Sequence, residues 1–273
     1  MNRHVITIVA FGLLAARNLD AQETSPTNAV FQDGERLRYK VKFGPIRLGT
    51  IQFFVHKLEG SPDEERYQID LRIDSNPALF FVDLHEFSFS IVHPESLYSE
   101  YFYRSRMKGS AKIESWRIYD RLQRESVFME RDQGKGSSAK QIVLRDLAPY
   151  FEGPSLWLFA RSKVMRGGEY TVQNILDTTR CQTVLSFKHA RSVLEIDAID
   201  GRVMARQAEG DAEWTGDSFG GMTGNFRGWF SDDEAAVPLL ARFKIAVGNV
   251  VLELEDWHRP GWTPPDGKAA AWR

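Results

Sequence analysis

The chain has 273 residues, of which 35 are basic and 37 acidic, with 42% hydrophobic and 12% aromatic residues. A formal net charge of −2 gives no electrostatic footprint for nucleic acid. Cys181 is the single cysteine, which excludes an intramolecular disulfide and a thiolate metal cluster and leaves stability to packing.

Arg3 and His4 make a short basic start. The apolar run Val5 to Ala16 (VITIVAFGLLAA) follows, then the polar stretch Arg17-Asn18-Leu19-Asp20, and then Ala21. This is the order of a secretory signal peptide, so residues 1–21 are expected to be removed and the remainder to be periplasmic or secreted. Leu19 at −3 is not the ideal partner for Ala21. The alternative is an uncleaved anchor or a buried helix, but the run is short of the roughly 20 residues that a membrane-crossing helix needs. No later stretch is long and apolar enough to span a bilayer, and no cysteine stands at the cleavage point to carry a lipid. Losing Arg3, Arg17 and Asp20 leaves 33 basic and 36 acidic residues, a formal charge of −3.

Residues 22–32 (QETSPTNAVFQ) are polar and small, and read as a disordered lead-in to a single β-rich domain over 33–257. Leu37, Tyr39, Val41 and Phe43 alternate with Arg36, Arg38, Lys40 and Lys42, the period of a half-buried strand. Gly44-Pro45 breaks this strand, and Ile46 to Leu58 reads as its hairpin partner. Tyr67, Ile69, Leu71 and Ile73 alternate as cleanly. Phe87, Phe89 and Ile91 continue the pattern, followed by Tyr98 to Arg106, Ala111 to Tyr119 and Glu125 to Glu130. Gln133 to Ser138 reads as a flexible turn. Ser155 to Val164 is the one helix, with Pro154 near its start and Gly167-Gly168 after its end. Strands are then expected over Tyr170–Ile175, Cys181–Phe187, Val193–Ile199, Arg202–Ala208, Leu239–Val247 and Asn249–Trp257. A loose tail is expected over 258–273. With no β-α-β rhythm, the fold class is all-β: a mainly antiparallel sheet, curved into an open barrel or a sandwich, with one short helix near 155–164.

Chemistry is harder to find. His85 and His93 share a strand parity, but at about 3.3 Å per residue they stand some 26 Å apart, too far to share a metal. No G-x-S-x-G elbow or HExxH spacing occurs, and Cys181 reads as an inert thiol in a strand. Asp232-Asp233-Glu234 is the obvious acid cluster. It falls where a turn between strands is expected, and Asp favours turns, so Asp232 and Asp233 read as a structural turn, with an acid pair as the alternative. The glycines of Gly220-Gly221-Met222-Thr223-Gly224 precede a strand, which does not make a phosphate cradle. No catalytic residue, metal ligand set or cofactor is assigned. What remains is aromatic richness in the N-terminal half. Phe80, Phe81, Phe87, Phe89, Tyr101 and Tyr103 either fill the core or line an apolar lumen that Asn76 to Val82 caps.

Three segments carry a resemblance. Tyr39 to Thr50 (YKVKFGPIRLGT) resembles an opening strand pair, Trp229 to Pro238 (WFSDDEAAVP) a W-x-S-D-D-x-x-x-x-P turn, and Phe243 to Leu254 a closing strand pair. Together they resemble the exported bacterial family called domain of unknown function 3108, over about residues 33–256. The resemblance implies an exported all-β protein and no reaction. Two functions are thus carried forward. One is a non-enzymatic binding or carrier protein of the cell envelope, its partner a lipid, an acyl chain or an envelope protein. The alternative is a hydrolase of envelope polysaccharide using Asp232, Asp233 and Glu234.

Overall fold

A computed structural model describes residues 28–60, 65–79, 83–135, 139–145, 150–212, 224–244 and 248–267. The expected signal peptide lies outside the described residues, as do Phe80 and Phe81 and most of the glycine-rich loop near 220. Eight strands come first: β1 (Arg36–Phe43), β2 (Ile46–Leu58), β3 (Arg66–Ser75), β4 (His85–Val92), β5 (Ser99–Lys108), β6 (Ala111–Asp120), β7 (Glu125–Asp132) and β8 (Lys140–Leu144). Helix α1 (Gly153–Lys163) follows. Six more strands complete the chain: β9 (Gly168–Leu176), β10 (Thr179–Glu195), β11 (Arg202–Ala212), β12 (Gly224–Ser231), β13 (Pro238–Lys244) and β14 (Asn249–His258).

All these strands form one antiparallel sheet in the order β8-β7-β6-β5-β4-β3-β2-β1-β14-β13-β12-β11-β10-β9. Two meanders are thus sewn together where the first strand pairs with the last, Leu37 opposite Trp257 and Val41 opposite Leu252. The sheet curls but does not close, because β8 and β9 do not pair. The chain between them fills the seam. Phe151 donates its N–H to the Gln173 carbonyl at 2.9 Å and bridges Asn174, and Tyr150 packs edge-on to Tyr119 beside Ile175.

The helix plugs the lumen. Ser155 Oγ accepts the Glu152 N–H at 2.9 Å, Gly153 takes φ +36°, and Pro154 sits in the first turn where its missing N–H costs nothing. Leu156, Leu158 and Phe159 are buried, and α1 leans on β3 and β4. An ion cluster bolts it in place. Arg161 donates to both oxygens of Glu35 at 2.7 and 2.9 Å and to the Ala235 carbonyl, while Arg259 donates to Glu35 at 2.8 Å. Arg161 is 0% exposed and lies 4.5 Å over the Trp157 ring.

Three expectations differ from the structure. Asn28–Val30 forms a 3-10 turn, not a disordered lead-in, because Val30 is buried and Phe31 packs on Tyr67 at 4.6 Å. Residues 258–267 are not a loose tail: Trp262 packs edge-on to Trp257 at 4.7 Å and donates to Asp233 at 2.8 Å, and Met204 donates to the Pro265 carbonyl. The strand expected at Val193–Ile199 is the far end of β10, which runs on through a register shift between Phe187 and Arg191, and Ile196–Gly201 forms the turn.

Candidate functional site

Because α1 leans toward β3 and β4, a gap opens on its other flank, against β12, β13, β14, β1 and β2. The gap is an apolar cavity of about 160 Å³. Gly153, Leu156, Trp157 and Ala160 face it from the helix at i, i+3, i+4 and i+7, the spacing of one helix face. Tyr39, Ile51 and Phe53 face it from β1 and β2, and Phe53 stacks on Trp157 at 4.3 Å and 5°.

Cross-strand register explains the hollow. On adjacent strands Ala208, Gly228, Ala241 and Leu252 stand side by side, and Gly228, Ala241 and Leu252 line the cavity. The row on one side carries Phe226 opposite Phe243, and the row on the other carries Phe230 opposite Pro238. Rows on one sheet face are about 7 Å apart, so a row of small residues between two rows of rings leaves a notch. Gly228 and Ala241 make the space; the aromatics make its walls.

Few polar atoms face this space. The Tyr39 hydroxyl donates to the Pro238 carbonyl at 2.9 Å, and burial holds its phenol far above the ordinary tyrosine range. An engineered apolar cavity of about 150 Å³ stays dry and admits benzene, so a hollow of this size takes a ring or a short alkyl segment.

The opposite flank of α1 has the reverse character. Besides Val92, Ile113, Tyr119 and Phe128, β4–β7 bury the polar or charged side chains of Glu86, Ser88, Ser90, Ser99, Arg104, Ser115, Arg117 and Ser126. Arg117 meets the Glu152 carboxylate and the Asp177 carbonyl, and Arg104 meets the Asp177 carboxylate. Burial pulls Arg117 down to about 10 and pushes the Glu86 carboxyl above the usual range. Only a water-sized space of about 30 Å³ remains there.

Of the residues expected to line a lumen, Phe80 and Phe81 lie outside the described residues, and the other four face outward. Phe87 is 38% exposed, and Phe89, Tyr101 and Tyr103 are half-buried on the outer face of the sheet. There Phe89 stacks on Tyr101 at 5.7 Å and meets Tyr103 at 5.4 Å. The register decides it. Leu71 and Ile69 of β3 point inward and pair with Ser88 and Ser90, so Phe87, Phe89 and Ile91 take the other side.

Asp232 and Asp233 are fully engaged. Asp232 pairs with Arg206 and, at 2.6 Å, with Arg191. Asp233 accepts Ser231 Oγ–H at 2.8 Å, the Ala236 N–H at 3.1 Å and the Trp262 indole. Ser231 in turn accepts the Val237 N–H, and Ala236 adopts φ +44°, a tight turn held from inside. Glu234 is exposed. Burial pushes the Cys181 thiol up to about 11, against nucleophilic use near neutral pH. Among the described residues no group of three His, Cys, Asp or Glu side chains is placed to hold a metal, and no helix is long and apolar enough to cross a membrane.

Nothing in the linear sequence marked the cavity residues as a set. Phe226, Gly228, Phe230, Ala241 and Phe243 show small-and-large alternation, a signal that becomes readable only once β12 and β13 are paired. The family described as "Protein of unknown function (DUF3108)" matches residues 38–255. Among solved structures, a beta-barrel-like protein of domain of unknown function DUF1849 from Brucella abortus is similar, with a TM-score of 0.55 and 9% identity. That similarity covers 85% of this chain and 100% of the other, and at such identity it concerns the fold alone. No curated protein matches the sequence.

Proposed function

The chain belongs to the DUF3108 family of proteins of unknown function, and we propose that it is a non-enzymatic binding protein for an apolar, lipid-like ligand. The observation that carries this reading is the apolar cavity of about 160 Å³ between α1 and β12–β14. Its wall is rings and alkyl groups. An apolar segment entering it leaves water at about 25 cal/mol per Å² without stranding a buried polar group. We place the protein in the periplasm or outside the cell, on the strength of the Val5 to Ala16 run and Ala21.

Nothing at Asp232 and Asp233 favours hydrolysis, because both carboxylates are consumed by arginines, a serine and a tryptophan of the same fold. A general acid needs a proton to give to substrate.

The test is a titration of the chain beginning at Gln22 with a fluorescent fatty acid and with an environment-sensitive apolar dye. Ala241→Leu fills the notch, and should weaken binding about tenfold, the loss of roughly 1.4 kcal/mol of contact, with the melting temperature unchanged or raised. Absence of binding by the natural sequence, or binding indifferent to Ala241→Leu, would overturn the reading.

A further inference from the structure

The large hydrophobic side chains left exposed are not scattered. Among the described residues Phe87, Met107, Ile118, Leu122 and Val143 all stand on β4–β8 or the turns between them, with Ile46 and Val193 elsewhere. Cross-strand register arranges the outer face of this wall in rows. The row nearest the β6–β7 turn reads Ile91, Tyr101, Ile118, Val127 and Val143 across five consecutive strands, without one charge. The next row carries Phe89, Tyr103, Trp116 and Met129. The third is polar, with Ser105, Glu114 and Arg131 beside Phe87. At about 4.8 Å per strand the first row is some 19 Å wide, and the rows follow one another at about 7 Å.

Beyond the first row the β6–β7 hairpin ends in Arg121-Leu122-Gln123-Arg124, and Leu122 is 97% exposed. The tip is held in shape by Asp120, whose carboxylate accepts the N–H groups of Leu122 and Gln123 at 2.9 and 3.0 Å. Glu125 is bound by Arg145 at 2.7 Å, and Arg180 reaches the Arg145 carbonyl. Among the described residues this corner therefore gathers Arg121, Arg124, Arg145 and Arg180 with the carboxylates of Asp120 and Glu125, an excess of basic side chains beside the most exposed of the described leucines.

We propose that the β6–β7 tip and the outer apolar rows of β4–β8 dock the protein on the surface of an anionic lipid bilayer. Each element matches one layer of that surface. Leu122 enters the acyl boundary, the flanking arginines meet lipid phosphates, and Tyr101, Tyr103 and Trp116 supply rings with a polar tip for the headgroup layer. Glu114 and Arg131 stay in water. From the first row to the third the outer face runs apolar, then aromatic, then charged, and beyond the first row the tip adds one exposed leucine between two arginines. A second copy of this chain would answer the apolar rows but would bring the same positive corner; an anionic surface answers both. This site lies on the outside of the sheet and is independent of the cavity beside α1.

The experiment is co-sedimentation of the chain beginning at Gln22 with phosphatidylcholine vesicles, with and without phosphatidylglycerol. The natural sequence should bind the anionic vesicles, with affinity falling at least about tenfold on raising salt from about 50 to about 500 mM, since that shortens the screening length severalfold. Leu122→Asp and the pair Arg121→Glu, Arg124→Glu should each abolish sedimentation. Leu122→Asp should melt with the natural chain, because the Leu122 side chain is almost fully exposed. No binding to anionic vesicles, equal binding to neutral ones, or full binding by Leu122→Asp would each overturn the proposal. So would a solution mass twice that of the chain which Leu122→Asp returns to one, since the face would then belong to a second copy. Fatty-acid binding in the cavity should survive all three substitutions, so failure of one site is read apart from failure of the other.

Discussion

Glu35→Gln removes one charge from the most enclosed ion cluster among the described residues. Glu35 accepts three guanidinium N–H groups, two from Arg161 at 2.7 and 2.9 Å and one from Arg259 at 2.8 Å. Arg161 has no solvent to fall back on, and Arg259 keeps the Ala29 carbonyl and the more distant Asp233 carboxylate. The glutamine amide turns an N–H donor toward a site built of donors, leaving two buried cations without their counter-ion. Breaking a buried pair in this way costs about 3–5 kcal/mol, a large part of the 5–15 kcal/mol that holds a typical domain together. With urea m-values near the upper end of about 1–3 kcal/mol/M for a chain of this size, the midpoint should fall by about 1–2 M. Denaturation in urea followed by tryptophan fluorescence reads this directly, because Trp157 lies against Arg161. Arg161→Met supplies the second corner of a cycle. The double variant should lose less than the two single losses combined, with a coupling of about 0.5–3 kcal/mol. A loss below about 1 kcal/mol for Glu35→Gln, or strict additivity in the cycle, would refute the claim that this cluster anchors α1 in the lumen.

Further outcomes follow from the same structure. Asp233→Ala should lower stability by about 1–3 kcal/mol by freeing the Ala236 and Trp262 N–H groups, with thermal unfolding as the readout and an unchanged melting temperature as the contrary result. Phe53→Ala should cost about 3–5 kcal/mol, since its ring stacks on Trp157 beside the cavity, whereas Phe87→Ala on the outer face should cost roughly 1 kcal/mol; equal losses would put both rings in the same environment. Glu86 is buried and its carboxyl is raised above the usual range by desolvation, so the folded state holds its proton more tightly than the unfolded chain. That stability is fully present below the ordinary glutamate range and is lost as pH rises through the raised value. Glu86→Gln should therefore melt close to the natural protein at about pH 4 and above it at about pH 8, and a variant less stable at the higher pH would show that Arg104 and Arg106 outweigh desolvation.

The strands, their antiparallel order and the one helix were legible because each rests on local physics. Leu37, Tyr39, Val41 and Phe43 keep a period of two, and Pro154 and Gly167 bracket a helix between runs of strand. Even the turn at Asp232 and Asp233 was readable, because short acids hydrogen-bond their own backbone neighbours. The β8 strand was missed: five residues, Lys140–Leu144, are too few for a pattern to outweigh the glycines before them. The pinning of residues 258–267 was missed for another reason. Arg259 and Trp262 find Glu35 and Asp233, partners 224 and 29 residues away.

By itself the sequence determined that β4 has two chemically distinct faces; it did not determine which of them looks inward. Alternation of Phe87, Phe89 and Ile91 with Glu86, Ser88 and Ser90 is the same string whichever side meets the lumen. Hydrophobicity alone favours aromatics inside, and that inference puts the rings in the wrong place. Tertiary structure reversed it, because β3 fixes the register of β4 and because Arg104, Arg117, Asp177 and Glu152 occupy the lumen on that flank and need polar company there. The cavity is tertiary in the same sense. Gly228, Ala241 and Leu252 lie on three strands, and only the hydrogen-bonded register that sets them in one row turns two small residues into a hollow.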